Sequence, residues 1–122
     1  MCLNISNKFS QPLIATEDIC CYKLLEVDIC DSETYVTPYR NMPVKIGCTY
    51  TSELSFNKHG NIEKGLHAYK YLSDVEYLCI FRYEVVVKCL IPKGSRYYRG
   101  TFSFDESLAS DQLTYVEIIK RN

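Results

Sequence analysis

The sequence predicts an α+β fold: a single compact domain, mainly antiparallel β-sheet, with one short helix at about residues 73–81. Three observations carry this. Short stretches of alternating apolar and polar residues recur along the chain, separated by clusters of Gly, Pro, Asn, Asp and Ser. Only one stretch places apolar residues at helical spacing. That leaves too few helices for parallel crossovers, so the strands should pair antiparallel. The chain has 122 residues, 47% of them hydrophobic and 24% charged, which suits one core and one domain. Residues 1–18 read as a peripheral arm or edge strand.

Residues 19–27 read as a strand with Ile19, Cys21, Leu25 and Val27 on one face, interrupted by Lys23. Asp31-Ser32-Glu33 breaks it. Residues 34–37 form a short strand stopped at Pro38, which has no N–H to donate. Residues 44–51 are a further strand with Gly47 as a bulge, residues 55–60 a loop, and residues 62–69 an extended segment. Ser73-Asp74-Val75-Glu76 has the spacing of a capping box, and Val75, Leu78 and Cys79 make the apolar stripe of the helix it opens.

Residues 83–91 alternate Val85, Val87, Cys89 and Ile91 on one face with Val86, Lys88 and Leu90 on the other. Both faces are largely apolar, which marks a central strand. Ile91-Pro92-Lys93-Gly94 suits a β-turn with proline second. Residues 96–102 return as a strand, 105–111 form a loop, and 113–120 close the sheet. In that last strand Val116 and Ile118 share one face, and Leu113, Tyr115 and Ile119 the other. The tally is five to seven short strands.

A net charge of −1 argues against bulk binding to nucleic acid or to anionic membrane. No apolar run approaches the ~20 residues that span a bilayer, and residues 1–11 lack the apolar centre of a signal peptide, so a cytoplasmic protein is expected. The seven cysteines are odd in number and follow no disulfide framework. They include no Cys-x-x-Cys pair, and the histidines no His-x(3–5)-His pair. Structural free thiols are expected, without a metal or cofactor. Cys20 and Cys21 should face opposite ways along a strand.

Gly65-Leu66-His67-Ala68-Tyr69, the stretch Ile91-Pro92-Lys93-Gly94-Ser95-Arg96-Tyr97-Tyr98-Arg99-Gly100, and Ala109-Ser110-Asp111-Gln112-Leu113 resemble small proteins encoded by bacteriophages and prophages. The likeness covers roughly the second half of the chain, with weaker echoes in Cys21-Tyr22-Lys23 and Thr37-Pro38-Tyr39-Arg40. It implies a mobile-element origin. By source and size it also implies an anti-defence role, such as a sponge that sequesters a nucleotide signal of the host.

The candidate ligand-binding residues are Arg96, Tyr98, Arg99, Lys93, His67, Tyr69, Tyr39 and Arg40. Guanidinium groups grip phosphate through a bidentate fork, and tyrosine rings stack on bases. In an extended segment Arg96 and Tyr98 share one face, and Tyr97 and Arg99 the other. His67 and Tyr69 also share a face, and Tyr39 and Arg40 would add a second Tyr/Arg pair. The plainer alternative is an exposed hairpin with solvated arginines and a structural histidine. Asp111 would orient an arginine or cap a turn, and the turn is favoured.

The expected function is sequestration of an anionic nucleotide-like small molecule, with a homodimer enlarging the pocket of so small a domain. A second reading is an inhibitor that docks on a host protein, because eleven tyrosines without a tryptophan suit a contact surface. A third is an enzyme. His67 and Tyr69 on a strand before a short helix resemble the ADP-ribosyltransferase-like folds, which implies NAD-consuming or nucleotide-cleaving chemistry with His67 and Glu117 as catalytic residues. No nucleophile elbow, P-loop or dinucleotide fingerprint is present, so the reading leans away from an enzyme.

Overall fold

The computed structural model describes residues 11–28, 30, 34–37, 42–102 and 105–121. The alternating segments become β1 (Leu13–Ile14), β2 (Ile19–Val27), β3 (Tyr35–Val36), β4 (Pro43–Val44), β5 (Thr49–Thr51), β6 (Ser55–Phe56), β7 (Ile62–Lys64) and β8 (Leu66–Tyr69). The helix α1 (Leu72–Glu76) follows, then β9 (Glu84–Ile91), β10 (Arg96–Phe102), β11 (Asp105–Ser110) and β12 (Gln112–Arg121). The main sheet runs β1-β10-β11-β8-β2-β9-β12-β5, with β3 and β4 attached beside β2; β6 and β7 form a separate hairpin. Every pairing is antiparallel. The fold is the expected one, a single domain of mostly β-sheet with one short helix.

The β9 strand lies between β2 and β12, as its two apolar faces predict. Val85, Val87, Cys89 and Ile91 join Cys21, Leu25, Leu66, Ala68, Leu108, Leu113 and Tyr115 in the main core. Val86, on the other face, packs with Tyr69, Val75 and Cys79 beneath α1. Beside that cluster the β6–β7 hairpin lays Ile62 over Ala109.

The connection from β11 to β12 shows how strongly the sheet curves. Only Asp111 joins them, so Ser110 and Gln112 lie within about 7 Å of each other. Yet β8, β2 and β9 intervene in strand order, and in a flat sheet β11 and β12 would stand about 19 Å apart. The sheet is therefore rolled, and its main core is the interior of that roll. Asp111 pins the junction: its N–H donates to the Arg96 carbonyl (3.0 Å), its own carbonyl accepts from the Ser52 N–H (2.9 Å), and its carboxylate accepts from the Arg96 backbone N–H (3.0 Å).

Several expectations are corrected. Residues 44–51 are two short strands rather than one. Gly47, at φ +92°, makes a turn instead of a bulge and donates its N–H to Tyr115 (2.6 Å). Residues 55–60 hold strand β6 as well as a loop, and 62–69 divide at Gly65, whose missing Cβ would stand 2.9 Å from a Leu54 methyl. Residues 105–111 are a strand, not a loop. Their polar composition hides it, but β8 and β10 supply ladder partners on both sides, and that pairing outweighs weak propensity.

The turn after β9 is shifted by one residue, with Pro92 first and the Ser95 N–H closing on its carbonyl (3.0 Å). Two irregularities in the β9–β12 register, between Tyr115/Glu117 and Ile118/Lys120, turn Ile118 toward the core and leave Ile119 exposed, because a one-residue slip exchanges faces. Twelve strands are present among the described residues, several of only two residues.

The helix is shorter than residues 73–81. Tyr71 is its N-cap and no side chain caps it, so the Ser73–Glu76 capping box does not form. The last turn tightens through Leu78 N–H to the Val75 carbonyl and Cys79 N–H to the Glu76 carbonyl. Buried Glu84 then takes the Ile80 and Phe81 N–H groups on one carboxylate oxygen, at 3.1 and 2.8 Å, and ends the element. No helix among the described residues is long and apolar enough to cross a membrane.

Candidate functional site

The register fixes which candidate residues share a face. Tyr98 stands opposite Ala109, and Ala109 opposite His67. Tyr69 lies in the next row, opposite Ser107, which faces Gly100. Alternation adds Arg96 to the same side, so Arg96, Tyr98, His67 and Tyr69 project from one face of β10 and β8. Tyr98 and His67 are two strand spacings apart, about 10 Å between their backbones.

That face is covered over much of its extent. His67 is 8% exposed and Tyr69 9%. Tyr69 meets Phe102 edge-on, ring centroids 6.5 Å apart, beneath the α1 cluster, and Tyr98 meets Phe56 of the β6–β7 hairpin with ring centroids 5.2 Å apart. Arg99 projects from the opposite face, where Leu108 is its register partner. Its guanidinium donates to Glu106 at 3.0 Å, and Lys70 joins the same carboxylate oxygen at 3.3 Å. The hydrogen bond from Arg99, then that from Lys70, lowers the Glu106 pKa.

Arg96 is exposed and Tyr98 half-buried. Lys93 is exposed in the turn, where its backbone N–H donates to the Asp18 carboxylate at 2.9 Å. Tyr39 and Arg40 lie outside the described residues. Glu117 is exposed and pairs in register with Lys88. It stands three strands from His67 in the sheet order, about 14 Å measured along the sheet.

His67 sits where β8 separates from β2, since Tyr22–Tyr69 is the one register pair between them. Its Nδ1 lies 3.1 Å from the Gly65 carbonyl oxygen, which assigns the proton of the neutral ring to Nδ1. Nε2 is buried without a partner in hydrogen-bonding geometry. Burial, then the nearby positive charge of Lys23, lowers its pKa to about 4, while the Gly65 and Ile62 carbonyls favour the charged ring less strongly. The ring is neutral near pH 7.

Lys23 is on the core face of β2, opposite Val87. Its Nζ donates to the His67 carbonyl at 2.8 Å, across the gap that β8 leaves. Burial holds its pKa below the ordinary lysine range, against the pull of Cys89 and Cys21. These two thiols are register partners. Burial, then Cys89, raises Cys21, and burial raises Cys89 to about 12. Both are protonated at neutral pH and poor nucleophiles. Cys20, its side chain turned the other way, is exposed.

A surface that the candidate residues did not include stands out. Tyr71 (48% exposed), Tyr77 (64%), Ile80 (67%), Phe81 (54%) and Tyr83 (49%) fall at the two caps of α1 and in the turn after it. Phe81 and Tyr83 stack nearly parallel, at 5.3 Å and 4°. The Tyr77 hydroxyl is held by Asp105 at 3.3 Å. The wealth of tyrosine signalled such a surface; its place did not, because a helix extended to residue 81 would have wound Ile80 and Phe81 into it. Comparison with family models, with curated proteins and with solved structures gives no match to this chain.

Proposed function

We propose that this chain is a protein-binding module, docking through the aromatic surface of residues 71–83. One observation carries the reading: five large apolar or aromatic side chains remain about half exposed or more on one short segment. Single exposed apolar residues are ordinary on soluble proteins, whereas a clustered patch marks an interaction surface. The tyrosines give rigid contact area with a polar tip. With the phage-type resemblance, the role that follows is inhibition of a host protein.

The nucleotide-sponge reading keeps a narrower basis, the exposed Arg96 beside Tyr98 on one face, with Phe56 steadying the Tyr98 ring. Burial removes His67 and Tyr69 from the accessible surface, and Arg99, though exposed, is engaged by Glu106 on the opposite face of the sheet.

One preparation compares the two. Chain purified from a bacterial host is analysed by native mass spectrometry, intact and then denatured, alongside a Phe81→Ser/Tyr83→Ser variant. The docking reading expects a protein partner that the parent retains and the variant loses. A nucleotide released on denaturation from both forms would favour the sponge. A protein partner held equally by both forms would defeat the assignment to residues 71–83.

A further inference from the structure

The docking surface has a property that bears on what occupies it in the free protein. A large apolar or aromatic side chain presents roughly 200 Å², so five such groups at these exposures amount to about 550 Å² of largely apolar area. A standard stable interface removes about 800 Å² from each partner, of which slightly more than half, about 450 Å², is non-polar. The patch alone thus matches the apolar share of a complete interface, and it lies at the upper limit of what a lone soluble domain exposes.

Its charges carry both signs. Exposed Arg82 lies between Phe81 and Tyr83, and half-buried Asp74 and Glu76 flank the patch from α1. A patch of one sign would repel its own copy. A mixed patch leaves open a two-fold arrangement that sets each arginine against the other copy's acidic residues. The Phe81–Tyr83 stack, with its rings nearly parallel, offers a flat aromatic plate of the kind that supplies interface hot spots.

We infer that the free chain covers this surface with a second copy of itself, forming an isologous dimer through residues 71–83. The inference rests on the docking reading and adds regulation to it: a target protein must displace the second copy, so self-association sets the concentration at which the surface becomes available.

Sedimentation velocity across a broad concentration series provides the test. A monomer–dimer equilibrium is expected. Phe81→Ser/Tyr83→Ser should weaken it about thirtyfold or more, the scale of losing a hot spot. Arg82→Glu should also weaken it, and Glu76→Arg added to Arg82→Glu should restore part of the loss. All of these positions are exposed or half-buried, and circular dichroism checks that the variants remain folded. A monomer at every concentration overturns the inference, as does a dimer indifferent to all the substitutions. A monomeric parent that still captures a protein partner through Phe81 and Tyr83 overturns the dimer alone and leaves the docking reading standing. A parent that is monomeric at every concentration and captures a protein partner equally well as Phe81→Ser/Tyr83→Ser overturns both.

Discussion

His67 shows how one side chain can be conspicuous in sequence for one reason and matter in structure for another. A histidine two residues before a tyrosine suggests ligand chemistry. In the fold its Nδ1 is engaged by Gly65, its Nε2 is buried without a partner, and Lys23 donates to its carbonyl. The consequence is a pH dependence of stability. The folded pKa is about 4 against 6.5 unperturbed, so the unfolded chain binds the proton more readily. Above pH 6.5 the contribution is fully present. It is lost as the pH falls through the window from 6.5 to 4, reaching about 3 kcal/mol at the low end. Urea denaturation of the parent and of His67→Gln, compared between pH 7 and pH 4.5, measures it: the parent should lose more stability than the variant. Equal losses would mean that the ring is solvated. Lys23, the half-buried donor to the His67 carbonyl, was legible as an interruption in the apolar face of residues 19–27. What sequence could not supply was the parting of β2 from β8, which gives its amine a carbonyl to bind instead of a carboxylate.

At the scale of elements, what the sequence made legible follows from local alternation, and what it missed follows from non-local pairing. The bounds of β2 and the central place of β9 were readable because their side chains report burial directly. β11 was hidden, since Asp105, Glu106, Ser107 and Ser110 look like loop residues until two neighbouring strands claim their backbone. The shared face of Arg96 and Tyr98 was legible from alternation; the packing of a separate hairpin over Ala109, the register partner of His67, was not. The end of α1 also has a non-local cause, because Glu84 reaches back from the start of β9 to hold the Ile80 and Phe81 N–H groups. Glu84→Ala should leave both N–H groups without this acceptor and cost about 2 kcal/mol, whereas Glu84→Gln keeps an acceptor oxygen and should cost less. Equilibrium unfolding orders the three proteins. The same Ala variant should loosen the Phe81–Tyr83 plate. Equal stability of parent and Glu84→Ala would show that this carboxylate does not hold the turn.

The whole molecule divides along a line that no single element reveals. On one side β1, β10, β11 and β8 form a continuous ladder; on the other, β2, β9, β12 and β5 do, with β3 and β4 beside them. Across the line the ladder has one register pair, Tyr22–Tyr69, together with the bond from Lys23 to the His67 carbonyl. The β2–β9 register, by contrast, runs without interruption from Ile19–Ile91 to Glu26–Glu84. Side chains from both halves share the main core, so the halves are not separate domains, but the thin ladder makes this line the cheapest place for the roll to open. Local opening follows such differences in pairing and burial. Amides of β9 should exchange last, through global unfolding. Those of β8 and β11 should exchange earlier and together, and those of exposed β5 first of all, with about a thousandfold between β5 and β9. Hydrogen exchange followed by mass spectrometry resolves the three classes. Should β8 and β11 exchange with β9 as one unit, the roll opens as a single cooperative body, and the half-buried hydrogen bond from Lys23 to the His67 carbonyl lies within a closed wall rather than at a seam.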